Sequence, residues 1–313
     1  MLGINVAIVG NINRDIIVKA GEYIGKRARA EYFEEKTGGS ATNYARSLAK
    51  LGTRTWLFAN VGKDFSQTVF SELASNSVNT EHVGTVSEKT GTVIVITEGK
   101  KKRMIFCRGA NETLRNRDFS ALKYFDIVHI CDVEKDLAKK VIEKKKKETN
   151  LFVDPGYGLS LPASEINEIL SSTHTLFIER REAEKIAGVK KPEKALKALH
   201  GFGVKHILFK AENGLIFSDG KKMCFQRIAP VKIIDTTGVG DVIGAAFIHF
   251  FYDKKYPVKK ALLCAELAAA VKVMYYGFYP PSLSEIMKMA KKLGWKLNLP
   301  SEKNKEKRED LGV

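Results

Sequence analysis

Cysteine is scarce in this chain: Cys107, Cys131, Cys224 and Cys264 are the four among 313 residues. No two stand close enough for a CxxC pair, which excludes a sequence-local zinc or redox site, and each lies in an apolar neighbourhood. They read as small buried hydrophobes in a reducing compartment. Long hydrophobic runs are missing too. The most apolar stretches, 242–251 and 261–276, are too short or carry Glu266 and Lys272, and neither reaches the ~20 apolar residues that span a bilayer. The N-terminus has no basic region followed by a long apolar core. These absences predict a soluble, cytoplasmic chain with no membrane partner. Acidic residues are the minority, 36 Asp+Glu against 52 Lys+Arg, a net charge of +16. Such a surplus attracts nucleic acid, acidic membranes or phosphorylated small molecules. Much of it sits in Lys-rich stretches of mixed charge, 143–148 and 190–197, that read as solvated helix faces.

Several chemical signatures are also absent. There is no GxxxxGK[ST], no HExxH, no GxSxG and no protein-kinase catalytic loop, and Gly10 is not followed by a GxGxxG turn. What remains is an ordinary globular composition, 44% hydrophobic and 28% charged, in a chain long enough to bury its own core without disulfides.

Short aliphatic runs at 5–9, 127–130, 151–153, 175–178 and 206–209 read as buried strands. Helical spacing recurs at 41–51, 135–147 and 193–199. This alternation predicts an α/β fold with a mostly parallel sheet and helices on both faces. Segments 15–36 and 90–108 instead alternate apolar and polar residues, predicting exposed antiparallel strands that together form a small lid sheet. The domain is expected to span 1–297. Residues 298–313 form a polar tail too poor in apolar area to order itself.

Three segments carry chemistry. Asp235-Thr236-Thr237-Gly238-Val239-Gly240-Asp241 precedes a strongly apolar helix. Its glycines let backbone N–H groups approach a ligand, and the helix start adds unpaired donors, which makes an anion site. An aspartate there would repel phosphate, yet it makes sense if Asp241 takes a proton from an attacking hydroxyl. The competing reading is an N-capping Asp on a buried helix. Gly38-Gly39-Ser40-Ala41-Thr42-Asn43 opens a second helix with a small-residue stripe at Ala41, Ala45 and Ala49. The Asn43 amide, donor and acceptor at once, suits a polyhydroxylated ligand. Asn13 and Asp15 follow the first strand on one side of an extended segment, placed to grip vicinal hydroxyls.

In this order, the three elements resemble the ribokinase-like (PfkB) carbohydrate kinase family. Gly38 to Gly52 is similar to its first signature and Asp235 to Asp241 to its second, and the likeness runs from about Val6 to about Tyr279. The resemblance implies a Rossmann-like domain with a β-sheet lid, transferring a nucleotide terminal phosphate to a hydroxyl of a sugar or sugar-like acceptor. It implies Asp241 as catalytic base, Gly238, Val239 and Gly240 as anion hole, and Asn13, Asp15, Gly39 and Asn43 as substrate contacts. It places Asn213, Gly214 and Thr237 on the nucleotide. It gives Glu182 to Mg2+ through water, and Asp235 with Thr237 to a monovalent cation. ATP is the expected donor, with ADP as the alternative, and an exposed lid edge could pair two subunits as a homodimer. The chain departs from the family where Glu179 replaces an Asn, Ala211 a Gly, and Ser40 the Lys of ribokinase proper. The acceptor is open among sugar, nucleoside, inositol and sugar phosphate, with Arg14, Arg46 and Arg108 as candidate grips for a substrate phosphate. The rival reading is a non-catalytic ligand sensor or nucleic-acid binder, from the net charge and the Lys100-Lys101-Lys102-Arg103 cluster. Aromatics do not interleave with that cluster, so no nucleic-acid partner is expected.

Overall fold

The computed structural model describes residues 3–99 and 101–297. The predicted tail and Lys100 therefore lie outside the described residues. Thirteen strands and nine α-helices lie among them, with two short 3-10 helices and one π-helical turn. The strands are β1 Asn5–Gly10, β2 Asn13–Ile24, β3 Arg27–Gly38, β4 Arg54–Gly62, β5 Val83–Val86, β6 Gly91–Glu98, β7 Lys101–Cys107, β8 Ile127–Cys131, β9 Asn150–Asp154, β10 Thr175–Glu179, β11 His206–Ala211, β12 Gly214–Ser218 and β13 Met223–Arg227. The helices are α1 Ser40–Lys50, α2 Ser66–Ser75, α3 Lys135–Lys144, α4 Ala163–Ser172, α5 Arg180–Ala187, α6 Pro192–Gly201, α7 Val239–Phe247, α8 Val258–Lys272 and α9 Leu283–Lys292.

Nine strands form one sheet in the order β13-β12-β11-β10-β9-β8-β1-β4-β5. From β11 to β5 all neighbours run parallel; β12 and β13 are antiparallel additions at one edge. The alternation in β1 explains why helices cover both faces. Val6 and Ile8 enter one core with residues of α1, α7 and α8, while Ala7 and Val9 enter the other with residues of α3 and α4. Every one of these side chains is fully buried, as a strand covered on both sides requires. β1 lies between β8 and β4, where the strand order reverses. The carboxyl ends of strands at such a reversal open onto a crevice.

The lid is a separate four-stranded sheet, β3-β2-β6-β7. The sequence predicts antiparallel strands there, and within each hairpin this holds, but β2 and β6 pair in parallel, Asn13 opposite Gly91. Asn13 begins β2 and Gly91 begins β6, so the first strands of the two hairpins set out side by side in one direction. Val93 and Val95 of β6 are buried, while Phe33, Met104, Ile105 and Phe106 stay exposed. The cysteine expectation needs correction as well. Cys131 and Cys264 are buried, but Cys107 is exposed and Cys224 half-buried. Both sit on outer strands, β7 and β13, which have a neighbour on one side only.

The predicted helix at 135–147 stops at Lys144, because Lys145 turns to extended backbone (φ −74°, ψ 157°) and its ammonium bonds the Lys146 and Thr149 carbonyls. No helix of the described residues is long and apolar enough to cross a membrane.

Candidate active site

Two helix starts converge on one carboxylate. α1 begins behind Gly39 (φ 98°) and α7 behind Gly238 (φ 71°), backbone that a side chain adopts only under strain. Asp241 lies in the first turn of α7. Ser40 Oγ donates to its Oδ1 at 2.7 Å and Asn43 Nδ2 to its Oδ2 at 2.8 Å. Burial pushes its carboxyl up to about 6, while the Ser40 and Asn43 hydrogen bonds and the Lys210 charge pull the other way. Desolvation wins because the donors supply partial charges and Lys210 stands off the carboxylate. At neutral pH such a group is ionised yet a stronger proton acceptor than an ordinary aspartate.

A cavity opens in front of it, lined among others by Tyr44, Asp154, Glu182, Lys210, Gly240 and Gly244. Asp154 ends β9, and Tyr44 Oη donates to its Oδ2 at 2.8 Å. Burial raises the Asp154 carboxyl well above its usual value, and the nearby charges of Glu182 and Asp241 add to that. Glu182 sits in the first turn of α5, where its Oε2 accepts the Glu179 N–H at 2.9 Å, and burial raises its carboxyl too. Lys210, at the end of β11, holds its ammonium 3.4 Å from Glu179 Oε2. The helix start therefore offers N–H donors, while the cavity wall carries four carboxyl groups, Asp154, Glu179, Glu182 and Asp241, against the one ammonium of Lys210.

An apolar slot adjoins this cavity, and Lys210, Leu215 and Ile243 line both. Gly214, Ile228, Val231 and Val273 line the slot further in, and the Glu266 carboxylate reaches it from α8. Burial raises Glu266 to about 7, against one backbone donor, the Ala229 N–H at 2.8 Å. A flat apolar base suits the slot, and phosphates suit its mouth beside Lys210 and Gly240.

Most residues singled out in the sequence gather here. Gly238, Val239 and Gly240 form the start of α7, and a Cβ on Gly238 would lie 3.5 Å from Asp241 Oδ2. Asn43, expected on substrate hydroxyls, donates its Nδ2 to Asp241, while its buried Oδ1 has no hydrogen-bond partner. Asn13 presents Oδ1 to Asn111 Nδ2 at 2.8 Å, and Asn111 Oδ1 accepts the Ile12 N–H at 3.1 Å. The Asp15 carboxylate crosses Gly38 so closely that a Cβ there would lie 2.0 Å from its Oδ2. Gly214 lines the apolar slot, whereas Asn213 and Thr237 are not among its lining residues. Asn213 sits in the exposed β11–β12 turn, its carbonyl accepting the Ile228 N–H at 2.9 Å. Thr237 bonds Asp235 Oδ1 through its N–H at 2.9 Å and its hydroxyl at 2.8 Å. Glu179 ends β10, caps α5 and carries the charge that Lys210 balances. The candidate phosphate grips are engaged elsewhere: Arg14 with Glu35, Arg46 with Glu72 at 3.0 Å, and Arg108 with Glu134. Sequence reasoning missed Tyr44, Asp154, Lys210 and Asn111. A strand ending in a carboxylate, Leu151-Phe152-Val153-Asp154, was the one available signal.

The family model "pfkB family carbohydrate kinase" matches residues 4–285. The ribokinase of Bacillus subtilis is 25% identical over 280 residues, covering 87% of this chain and 94% of its own. The nucleoside kinase of Methanocaldococcus jannaschii is 27% identical over 246 residues, covering 74% of this chain and 76% of its own. The structure of Arabidopsis thaliana ribokinase complexed with ribose and ATP superposes with a TM-score of 0.81 at 25% identity, covering 93% of this chain and 99% of that one.

Proposed function

The chain belongs to the pfkB family of carbohydrate kinases, and from that premise we propose that it transfers the terminal phosphate of ATP to a hydroxyl of a sugar or nucleoside, with Asp241 as general base. The observation that carries this reading is the Asp241 carboxylate, held by Ser40 and Asn43, facing a cavity beside the glycine-started helix α7. The kinase domain runs through residue 297, in a reducing cytoplasm where the four cysteines stay unpaired.

The acceptor hydroxyl lies between the lid and the start of α1, near Asn13, Asp15 and Gly39. Asn111 fixes the Asn13 amide, and Asp15 lies over Gly38. As the hydroxyl oxygen bonds to the terminal phosphorus, its proton passes to Asp241 and the nucleoside diphosphate leaves. An alcohol is far too weak an acid for a carboxylate to ionise beforehand. In a loose transfer, however, the proton becomes acidic late, so a positioned weak base suffices. The N–H groups at Gly238 and Gly240 would meet the developing charge, while that of Val239 is taken by the Thr236 carbonyl at 3.2 Å. Lys210 adds the nearest ammonium, and the lid excludes water as a competing acceptor.

Among the described residues no three acidic side chains are grouped to hold a metal directly, so Mg2+ fits this site through water. The carboxyl groups of Asp154, Glu179, Glu182 and Asp241 line the cavity, and carboxylate oxygens are the hard ligands Mg2+ prefers; a bound cation would keep them ionised beside a polyphosphate. Glu182, reaching the metal through water, would hold it beside Asp154, and it would neutralise phosphate charge. Glu182→Gln is expected to raise the Mg2+ concentration for half-maximal rate by about 10- to 100-fold, with unchanged acceptor affinity. A magnesium titration of the rate reads this, and an unaltered midpoint would remove Glu182 from the metal.

A panel of sugars, nucleosides, inositols and sugar phosphates, each with ATP and with ADP, tests the function by detection of spent nucleotide. Transfer to at least one alcohol is expected; no transfer to any acceptor from either donor would overturn the reading. The exposed Phe33, Met104, Ile105 and Phe106 of the lid suit a homodimer, which light scattering reads as twice the chain mass.

A further inference from the structure

The family resemblance assigns a monovalent cation to Asp235 and Thr237, and the residues present do not fit one. Every oxygen of Asp235 already accepts a hydrogen bond. Oδ1 takes the Thr237 N–H at 2.9 Å and its hydroxyl at 2.8 Å, and Oδ2 takes the Gly277 N–H at 2.7 Å. The carbonyl oxygen takes the ammonium of Lys272 at 2.7 Å. Lys272 ends α8 and is fully buried. A second cation at this carbonyl would stand against the ammonium in a poorly solvated interior, where like charges repel strongly.

We propose that Lys272 is a tethered replacement for the monovalent cation: its ammonium fixes the loop from Asp235 to Gly240 in the form that presents the N–H groups of α7, so the enzyme needs no potassium or sodium. An ammonium resembles potassium in charge and in its distance to a carbonyl oxygen. Burying a lysine side chain is costly unless its charge is paired and hydrogen-bonded, which gives this placement a function to serve. The same loop is tied at two further points to the end of α8. The Ile234 and Asp235 N–H groups both reach the Val273 carbonyl, at 2.7 and 3.2 Å. Although burial pushes the Asp235 carboxyl up, hydrogen bonds from Thr237 and Gly277 and the charge of Lys272 hold it below its ordinary value. Lys272 acts through the loop and is a positioning residue.

The inference rests on the reading of Gly238 to Gly240 as the phosphate-facing loop, and the test separates the two. Wild-type protein is compared in potassium, sodium and choline chloride at equal ionic strength and fixed Mg2+. Two readouts are taken: the melting temperature without substrate and the rate of phosphate transfer. The expected result is a melting temperature constant to about 1 °C and a rate constant within about twofold across the three salts. A rate tenfold higher in potassium than in choline, or a melting temperature that climbs with potassium, overturns the inference. Transfer that fails in every salt overturns the kinase reading, while the melting series still decides the cation question. Lys272→Met is expected to lose at least tenfold in rate and to recover part of it in potassium or ammonium chloride. A folded Lys272→Met protein with wild-type rate in choline also overturns the inference, and if that variant does not fold, the wild-type series stands alone.

Discussion

Asp241→Asn is expected to lower kcat by about 10³- to 10⁴-fold while acceptor affinity changes only a few-fold, the upper range for loss of a positioned base. That corresponds to about 4–5.5 kcal/mol of transition-state stabilisation. The substitution preserves the local geometry. The new amide oxygen accepts from Asn43 Nδ2 as before, and the new amide N–H donates to the Ser40 hydroxyl, which can reverse its role. Both hydrogen bonds can be remade, so the fold persists and the deficit is chemical. Coupled nucleotide assays give kcat, and titration calorimetry with the acceptor gives affinity; a variant within tenfold of wild type would remove Asp241 from the reaction. The pH profile adds a check with a definite sign. The base works ionised, and burial raises its carboxyl to about 6. The rate of the wild type therefore rises with pH through about 6 and levels above it. In Asp241→Asn the residual rate loses that limb.

The sequence displayed the scaffold more fully than the site. The 5–9 run, apolar at every position from Val6 to Val9, reads as a buried strand, and all four of those side chains are fully buried. Gly39 and Gly238 stood out because backbone torsion and close approach demand glycine. Asp241 stood out because it is a carboxylate placed where an anion belongs. Asp154, Lys210 and Asn111 escaped because their roles are set by distant partners. Tyr44 lies 110 residues from Asp154, and Asn111 lies 98 from Asn13. Those meetings follow from strand order and register, which local pattern does not encode. Lys272 was visible only as a charge interrupting an apolar helix; its carbonyl partner, 37 residues upstream, gives it meaning. Asn43 shows the converse limit. Its place in the first turn of α1 was legible, but not that α7 would bring Asp241 within its reach.

A pair of alanine substitutions at the two ends of α1 isolates what Gly39 does for the site. Gly39 and Gly52 share nearly the same φ, 98° and 94°. Alanine in such a conformation costs roughly 1–3 kcal/mol at either position. At Gly52 a Cβ meets nothing within 4 Å, so that strain is the whole cost. At Gly39 it would lie 2.4 Å from the Asn11 carbonyl oxygen and 3.2 Å from the Asn13 nitrogen. Both neighbours are backbone, and Asn11 is anchored, its amide donating to the Asp132 carbonyl at 3.0 Å and its carbonyl accepting the Thr42 hydroxyl at 3.2 Å. Relief must come from moving the start of α1 or the start of β2, adding about 1–3 kcal/mol of overpacking. Gly39→Ala should therefore melt lower than Gly52→Ala by on the order of 5 °C. The displaced parts carry Ser40 and Asn43 on one side and Asn13 on the other. A shift between them separates the base from the hydroxyl it must meet, and a misplacement near 1 Å costs about 100-fold. Gly39→Ala is thus expected to lose about 100-fold in kcat/KM for the acceptor, while Gly52→Ala stays within a few-fold of wild type. Scanning calorimetry and steady-state kinetics on the two variants decide it. Equal melting temperatures and equal kcat/KM would mean that the contact with Asn11 is slack, and that the glycine before α1 serves the backbone turn alone.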